Sequence, residues 1–438
     1  MGGGLLQLVA YGAQDVYLTG NPQITFFKVV YRRHTNFSME SVKQSWSGNP
    51  LTGVAECLIS RNGDLINGMH LEVEYTLEND NNIYNLGHSM IETVEVKIGG
   101  ELMDRHTGDF MEFYSQLTEK TNYDNNRFLY QVMSASGGTV INNGVVNDNT
   151  GRIYVPLLFW FCRNSGLALP LIALQYHDVK IVLKLNEDLL KYGLKNSKLD
   201  KNTLYADCIY LDTDERKRFA QVSHEYLIEQ VQYRKFIKNK NNYNDEETFD
   251  ISFLNHPVKE LFWIQCPIKK SGAIKPFCWK QIKGNAKDYY SKTNTKALIK
   301  INGQDRFSER FMDYFYLKQP HDYHSEECPI VGTRSSIEDD TNLHYSSTYS
   351  QNLCLYSFAL KPEEHQPSGT CNFSRIDSAE LIFNNTGWNN AGNDGMTPTG
   401  GVVDNKFVKS PINGIEVYAI NYNVLRIMSG MGGLAYSN

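Results

Sequence analysis

The sequence predicts an all-β protein made of two tandem jelly rolls, each an eight-stranded antiparallel sandwich, with short helices in the loops. The first observation is length, because 438 residues exceed the size at which one hydrophobic core stops growing, and two domains of about 200 residues are expected. The second is composition, because 27 Tyr and 21 Phe favour β structure and supply two cores. The third is a repeated order of patterns in the two halves.

Alternating apolar and charged residues mark the strands of the first half. Residues 71–75 (LEVEY) and 94–98 (VEVKI) follow this pattern. Because successive side chains of a strand point to opposite faces, one face of each segment is apolar and the other is charged. Residues 154–161 and 179–185 are also predicted strands, and the first half is expected to end near residue 211.

A different period follows the two glycines at 99–100. Phe110, Phe113, Tyr114 and Leu117 fall at helical spacing, which predicts a short helix with one apolar face. The next segment, residues 119–151, is rich in Asn, Gly, Asp and Thr and is predicted to be a long exposed loop.

The second half repeats these features in the same order, about 200 residues further along the chain. The matched pairs are residues 37–42 with 226–231, 71–74 with 261–264, 97–100 with 300–303, 110–114 with 311–315, Pro170 with Pro367, and 179–183 with 379–383. Short strands and long polar loops in each half suit a jelly roll better than a propeller or a closed barrel. The loops are expected at the ends of the sandwiches, at residues 119–151, 236–249, 269–296, 321–350 and 384–406.

The repeat predicts four parts of the chain. These are an N-terminal arm at residues 1–25, a first jelly roll at 26–211, a connector at 212–224, and a second jelly roll with the C-terminal segment at 225–438. The connector is charged and shows no hydrophobic alternation. We expect it to be fixed, with Asp214, Arg216 and Arg218 in contact with one or both domains.

Charge and composition argue against several classes of protein. The net charge is −6 and the longest basic run is residues 216–218, whereas direct nucleic-acid binding needs a concentrated positive surface. The eight cysteines are scattered without a CxxC pair, which favours buried thiols in a reducing compartment. The strongest apolar run, residues 154–162, falls far short of the roughly 20 residues of a membrane span, so none is expected.

The most ligand-like cluster lies in the segment HDYHSEEC. It contains His321, His324, Glu326, Glu327 and Cys328, but a structural zinc site needs four ligands and a second pair is missing. A solvated loop is the favoured interpretation. No nucleotide-binding, hydrolase or zinc-protease motif occurs, so neither a metal site nor a cofactor is expected.

Two pairs of residues are candidate catalytic groups. His177 and Asp178 are neighbours on a predicted strand and point to opposite faces, which favours a structural histidine. Glu72 and Glu74 share one face, which alternation assigns to solvent. No catalytic residue is expected, and a sugar-cleaving or sugar-binding sandwich protein remains the alternative class.

Seven stretches resemble the major capsid proteins of nucleocytoplasmic large DNA viruses, most closely those of the algal chloroviruses. They run from one end of the chain to the other and read GAQDVYLTGNPQITFFKVVYRRHTNF, ISRNGDLI, PLLFWFCRNSGLALPLIALQYHDVKI, LDTDERKRFAQVSHEYLIEQ, INGQDRF, LYSFALKPEEHQPSGTCNFSRID and NYNVLRIMSGMGGLAY. The resemblance implies a structural protein whose homotrimer forms a pseudo-hexagonal capsomer. Many capsomers would tile an icosahedral shell, the outer capsid of a virion assembled in the host cytoplasm.

The resemblance also implies partners and contact residues. The partners would be further copies of the chain, neighbouring capsomers and minor capsid proteins beneath the shell, with no direct nucleic-acid contact. Residues 12–26 and 421–436 would run along the capsomer base, which makes Asp15, Tyr17, Asn21 and Arg426 candidate contact residues.

Glycosylation is expected on the outer loops, as in relatives of this kind. Of the three sequons, at Asn36, Asn372 and Asn384, the last is expected to lie in an accessible loop. A lower-copy paralogue, serving as a minor or vertex-proximal capsid component, is the alternative within the same class.

Overall fold

The computed structural model describes residues 12–29, 31–76, 83–84, 86–118, 126–136, 140–141, 150–187, 198–237, 246–265, 296–324, 353–384 and 414–436. The chain separates into two units, residues 1–37 and residues 38–438. In the smaller unit a single helical turn, α1 (Val16–Thr19), follows Asp15.

The first half of the larger unit forms two antiparallel sheets. One sheet has the order β1-β12-β4, with β9 and β10 both paired to β4, and the other has the order β2-β3-β11-β6-β7. A separate two-stranded sheet pairs β5 with β8. The strands are β1 (Phe37–Lys43), β2 (Trp46–Gly48), β3 (Val54–Leu58), β4 (Leu65–Thr76), β5 (Ile83–Tyr84), β6 (Ile91–Ile98), β7 (Glu101–Thr107), β8 (Val140–Ile141), β9 (Thr150–Pro156), β10 (Leu169–Pro170), β11 (Val179–Leu185) and β12 (Lys198–Leu211).

The second half also forms two antiparallel sheets. One has the order β13-β22-β15-β19, with β20 paired to β15 and β23 to β22, and the other has the order β14-β21-β16-β17, with β18 paired to β16. The strands are β13 (His224–Ile237), β14 (Glu246–Asp250), β15 (Pro257–Gln265), β16 (Lys296–Ile301), β17 (Gln304–Asp305), β18 (Arg310–Phe311), β19 (Leu353–Ser357), β20 (Cys371–Asn372), β21 (Ala379–Asn384), β22 (Gly414–Met428) and β23 (Met431–Leu434).

The two halves have the same topology. Strands β1, β12, β4 and β9 correspond to β13, β22, β15 and β19, and strands β3, β11, β6 and β7 correspond to β14, β21, β16 and β17. Within the described residues, each half is therefore an eight-stranded jelly roll with a few short additional strands. This confirms the predicted double jelly roll.

Turn geometry supports the correspondence and corrects one match. The β6–β7 hairpin turns at Gly99 and Gly100, with φ of 60° and 90°, and the β16–β17 hairpin turns at residues 302–303, with φ of 49° and 76°. Two successive positive φ angles are typical of a tight hairpin turn. The Pro170 match was wrong, because Pro170 lies in β10 whereas Pro367 precedes β20, the strand that corresponds to β10.

The helices are short and lie between strands. The predicted helix around residues 110–117 is confirmed as α3, but two other predictions were wrong. Part of the predicted loop at 119–151 is helix α4, because Tyr130 and Ser134 are buried on its inner side. The predicted strand at 154–161 stops at Pro156, and a helical turn follows. The helices are α2 (Leu86–Ser89), α3 (Gly108–Thr118), α4 (Asn126–Ser134), α5 (Trp160–Arg163), α6 (Thr213–Gln221), a π-helix (Tyr314–Lys318) and α7 (Gln319–Tyr323), with 3₁₀ turns at Ser165–Leu167 and Phe373–Arg375.

One large hydrophobic cluster of the described residues extends through both jelly rolls. Buried residues of the first half, such as Phe113, belong to the same cluster as Phe262 and Tyr418 of the second half. Helix α3 is buried on the side facing the second half as well as on the side facing its own sandwich. The two jelly rolls are therefore joined by packing and not only by the connecting chain.

Candidate functional site

The surface that joins the two jelly rolls, here called the seam, is formed by α3, α5 and β7 from the first half and by β13, β15 and β22 from the second. Phe110 and Phe113 lie one helical turn apart on α3. The Phe113 ring lies 5.1 Å from Phe262 and 5.2 Å from Tyr418, and Phe110 lies 6.1 Å from Tyr418. All four side chains are fully buried. Such aromatic contacts stabilise the folded protein by more than the burial of their apolar area alone would do.

A buried network of charges crosses the seam beside these rings. Arg163 Nη1 donates to Glu229 Oε2 at 2.7 Å and to the Tyr114 hydroxyl at 2.7 Å. Lys259 Nζ donates to Glu229 Oε1 at 2.5 Å and to the Pro362 carbonyl at 2.7 Å. Lys259 sits at a bulge in β15, where the pairing register with β22 shifts. Glu229 therefore links a cation of the first half to a cation of the second.

The charged states of this network support one another. Burial alone would raise the pKa of Glu229, but Arg163 and Lys259 outweigh it and lower that pKa below its usual range. Burial alone would lower the pKa of Lys259, but Glu229 outweighs it and raises that pKa. The groups therefore remain ionised at neutral pH and act as a fixed cross-link.

Two sheet edges meet at the seam. Gln230 Nε2 donates to the Met103 carbonyl on β7, and the Val231 backbone N–H on β13 donates to Asp104 Oδ1 at 2.9 Å. His106 lies next to this contact, with its Nε2 atom 2.9 Å from Asp104 Oδ2. Side chains thus form hydrogen bonds with backbone N–H and C=O groups that an exposed edge strand would leave free to pair with another chain.

The C-terminal hairpin makes a second contact between the jelly rolls. The Tyr176 N–H donates to the Gly430 carbonyl at 2.9 Å, and His177 Nδ1 lies 2.9 Å from the Gly432 carbonyl. A Cβ atom on Gly432 would lie 2.7 Å from Leu174 Cδ2, so the hairpin packs too closely for a side chain. His177 therefore has a structural role, as predicted, although it lies just before β11 and not in a strand. Asp178 binds Arg61 at 3.2 Å.

The connector between the jelly rolls is helix α6. Its N-cap, Asp212, accepts a hydrogen bond from the Thr213 N–H at 2.7 Å. Arg216 Nε lies 3.0 Å from Asp64 Oδ1, and Phe219 packs against a small cluster of apolar residues of the first half.

The predicted contacts of the connector are thus confirmed only in part. Arg216 binds the first half as expected. Asp214 and Arg218 are exposed, and their side chains form neither an ion pair nor a hydrogen bond with the described residues. Asp214 and Arg218 lie on the solvent-exposed side of helix α6. The sequence pattern did not show which side of this helix would face the first half.

His324 occupies a buried site in the second half. Its Nε2 lies 2.9 Å from Glu260 Oε1 and its Nδ1 lies 2.9 Å from Glu363 Oε1. Burial alone would lower the pKa of His324, but Glu260 and Glu363 outweigh it and raise the pKa to about 9. The prediction of a solvated loop was therefore wrong for this residue.

The other members of the predicted zinc cluster do not join His324. His321 is exposed, with its Nδ1 3.2 Å from Asp322 Oδ1. Glu326, Glu327 and Cys328 lie outside the described residues. Across the described ranges, no three or more His, Cys, Asp and Glu side chains are grouped so that they could hold a metal ion.

The described cysteines are free thiols, as predicted. Cys57, Cys208 and Cys354 are buried, and Cys162 and Cys371 are half-buried. Burial raises the pKa of Cys57 to about 11, which keeps the thiol protonated. The remaining cysteines, at positions 266, 278 and 328, lie outside the described residues.

Glu72 and Glu74 lie on the outer face of the sheet that contains β4, as alternation predicts. Arg152 Nε is 3.3 Å from Glu72 Oε1, and Arg152 Nη2 is 3.2 Å from Glu74 Oε1. Lys201 Nζ is 3.3 Å from the same Glu74 atom. The two carboxylates therefore belong to a surface network of ion pairs.

The predicted contact residues lie in both units. In the smaller unit, Asp15 Oδ2 accepts a hydrogen bond from the Gly12 N–H at 2.7 Å, Tyr17 lies in α1, and Asn21 is exposed with a φ of 51°. In the larger unit, Arg426 Nε on β22 donates to Glu225 Oε1 at 2.8 Å. Their role in contacts with other subunits remains a prediction.

The predicted glycosylation residue, Asn384, is not in a loop. It is the last residue of β21, is paired with strands on both sides, and its Nδ2 donates to Glu309. Its glycosylation remains a prediction, and the rest of the sequon lies outside the described residues. In the part of the chain that is described, no helix has the length and apolar character needed to cross a membrane.

Comparison with known families places both halves in one group. A family model described as "Major capsid protein N-terminus" matches residues 25–214. A second, described as "Large eukaryotic DNA virus major capsid protein", matches residues 215–335 and 340–433.

Relatives match over their whole length. The major capsid protein of Pyramimonas orientalis virus is 45% identical, and that of Paramecium bursaria Chlorella virus 1 is 38% identical, each with 100% of both chains covered. Both are named major capsid proteins, which supports a major component over a lower-copy paralogue.

Solved structures agree with the sequence comparisons. A chain in the quasi-atomic model of the PBCV-1 virus capsid aligns with a TM-score of 0.72 and 33% identity, covering 94% of this chain and 100% of that one. The Faustovirus major capsid protein, at 12% identity, shares the fold with a TM-score of 0.61, covering 95% of this chain and 94% of that one. The chain therefore belongs to the family of major capsid proteins of large eukaryotic DNA viruses, and its function is to form the capsid shell.

Proposed function

We propose that three copies of the chain form a pseudo-hexagonal capsomer and that such capsomers tile the icosahedral outer shell of the virion, assembled in the host cytoplasm. The observation that carries the proposal is the seam, which fixes two jelly rolls of the same topology into one unit. Three such units supply six sandwiches of similar shape. The function is structural, and none of its steps requires catalysis or a cofactor.

A fixed angle between the jelly rolls is what this assembly needs. Six sandwiches close into a ring only if neighbours are rotated by about 60°, so a flexible tether between the halves would permit open or irregular arrays. The buried aromatic rings, the Glu229 network and the C-terminal hairpin each oppose such motion. We take residues 26–211 and 225–438 as the two jelly-roll domains and 212–224 as their connector.

The N-terminal arm, residues 1–25, is proposed to contact neighbouring capsomers or minor capsid proteins beneath the shell. Its predicted contact residues are Asp15, Tyr17 and Asn21, and Arg426 of the larger unit is proposed as a further contact residue. The chain just after the arm exposes large apolar side chains, with Phe26 88% and Phe27 98% accessible. Exposed apolar groups in series are typical of a protein contact surface.

The mass of the purified protein in solution tests the proposal. Sedimentation equilibrium is expected to give three times the chain mass over a wide concentration range. A stable monomer that binds glycans would contradict the capsomer and would favour a carbohydrate-binding protein. The number of copies in purified particles then separates a major component, present in every capsomer, from a lower-copy one.

A further inference from the structure

Corresponding surfaces of the two jelly rolls differ in exposure. The helix that follows β7 is α3, whose residues Phe110 and Phe113 are fully buried against the second half. The segment that follows β17 carries Phe311 at the end of β18, and Tyr314 and Leu317 in the π-helix. Phe311 is 49% accessible and Leu317 is 39% accessible, while Tyr314 is half-buried. Phe311 and Leu317 are therefore exposed in the second half, whereas Phe110 and Phe113 are buried in the first.

The face that receives Phe110 and Phe113 also has a counterpart. Phe113 packs on Phe262 and Tyr418, which are paired across β15 and β22. The corresponding pair across β4 and β12 is Glu72 and Thr203. The outer face of β4, β9 and β12 is thus the first-half counterpart of the seam face.

Aromatic side chains lie on this first-half face. The His70 and Tyr205 rings are stacked, with centroids 5.3 Å apart and planes at 9°. The Tyr154 ring lies 6.2 Å from His70. All three side chains remain partly accessible in the single chain. They offer flat aromatic surface to an incoming ring.

We propose that Phe311, Tyr314 and Leu317 of one copy pack on the outer face of β4, β9 and β12 of the next copy, so that the contact between chains reproduces the seam within each chain. The inference rests on the proposed capsomer and names the surfaces that build it. The occupant is a second copy because the seam already shows what the corresponding surfaces bind. The contact is head-to-tail, and it closes at three copies if each chain turns the next by about 120°.

Charge supports the same pairing. Arg310 flanks one end of the segment 311–317 and stacks over Tyr314, with its guanidinium carbon 5.3 Å from the ring centroid. Lys318 flanks the other end and pairs with Asp322 at 2.6 Å. On the receiving face, Glu72 and Glu74 pair with Arg152 and Lys201 within the chain, so Arg310 and Lys318 would exchange with these partners to form ion pairs between chains. Opposite charges around an aromatic centre set the register of a protein interface.

The seam within a chain and the proposed contact between chains differ in polarity. Phe262 and Tyr418 at the seam are replaced by Glu72 and Thr203 on the receiving face. The contact between chains is therefore less apolar than the seam. This difference suits subunits that fold separately before they associate.

Photo-crosslinking from position 311 tests the inference directly. Phe311 is replaced by p-benzoylphenylalanine, the assembled protein is irradiated, and crosslinked peptides are identified in a mixture of isotopically light and heavy chains. Crosslinks between chains that map to β4, β9 or β12 are expected. A trimer whose crosslinks map elsewhere would overturn the interface but leave the capsomer intact, whereas a protein that never forms a trimer would overturn the capsomer itself.

A pair of substitutions provides a second test. Phe311→Asp is expected to weaken trimer association by at least about tenfold, because it places a charge at the centre of the interface. Val54→Asp is the matched control, since Val54 is 54% accessible and lies on β3, in the first-half sheet that does not contain β4, β9 or β12. Circular dichroism shows whether each variant is folded. If Phe311→Asp does not fold, the crosslinking experiment alone tests the interface. Equal association of both variants and the parent protein would contradict the inference.

Discussion

For the charged residues at the seam, the unfavourable free energy of desolvation opposes the favourable free energy of ion pairing. Removing Glu229, Lys259 and Arg163 from water is unfavourable for each, and the network persists because each charge has a partner within hydrogen-bond distance. The loss of one member is therefore more harmful than the small net stabilisation of the whole network would indicate.

Glu229→Gln should destabilise the protein by roughly 3 kcal/mol or more, because buried Arg163 and Lys259 then lose the carboxylate that accepts a hydrogen bond from both. Urea unfolding at fixed protein concentration measures the change. Glu364→Gln is the control, since Glu364 pairs with Lys361 at the surface and both side chains are more than half exposed. Equal free energies of unfolding for the two variants would show that the stability of the seam does not depend on the charge of Glu229.

His324 should make the free energy of unfolding decrease as the pH rises through the alkaline range. Its pKa is raised from 6.5 to about 9 in the folded protein, so its contribution is complete below pH 6.5 and is lost as pH rises through about 9. The loss amounts to about 3 kcal/mol, from roughly 1.4 kcal/mol per unit of pKa. Unfolding free energies measured between pH 6 and 10 should fall in the parent protein and stay flatter in His324→Gln. The same slope in both proteins would rule out this role.

Residue-level contacts were the least predictable part of the structure. The structural role of His177 was predicted, although the residue lies just before β11 and not in the strand to which it was assigned. The Arg163–Glu229–Lys259 network could not be found, because its members are far apart in sequence and none lies in a distinctive pattern. His324 was misplaced for the same reason, since its partners Glu260 and Glu363 are distant from it in sequence.

At the level of elements, strands with clear alternation were predictable and irregular helices were not. Strand β11 matches the predicted residues 179–185, and α3 covers the predicted helix. Helix α4 was missed because polar neighbours hide its short apolar pattern, and its stability comes from packing against the sandwich. Asn384 was assigned to a loop because the end of a strand leaves little trace in sequence.

The C-terminal hairpin gives an element-level prediction. Gly432→Ala should destabilise the protein by about 1–3 kcal/mol, because the new Cβ would meet buried Leu174 at 2.7 Å. Gly433→Ala is the matched control, since its Cβ would approach no atom more closely than 3.6 Å. Thermal unfolding compares the two. Hydrogen exchange should also increase around residues 174–177 in the Gly432 variant alone, and unchanged exchange there would argue against a clasp between the halves.

At the scale of the whole molecule, the shared core predicts cooperative behaviour. Because buried residues of both jelly rolls form one cluster, neither half has a complete core without the other. Calorimetry under conditions where association is saturated should show one main unfolding transition. Two well-separated transitions, each assigned to one half by hydrogen exchange, would mean that the seam is weaker than its buried contacts indicate.

The internal repeat was the most informative feature of the sequence at this scale. It predicted two jelly rolls of the same topology, and the corresponding sheet orders confirm this. The sequence could not show that the two halves bury different surfaces, because exposure depends on the packing of Phe110 and Phe311 and not on their similar local patterns. That asymmetry is the link between the fold of one chain and the assembly of several.

A single-particle cryo-EM reconstruction of the assembled protein tests the central claim most directly. The account predicts a ring of three chains and six sandwiches, in which the junctions within chains and between chains superimpose and Phe311 is buried on the next copy. A monomer, or an oligomer in which Phe311 and the outer face of β4, β9 and β12 both face solvent, would contradict it.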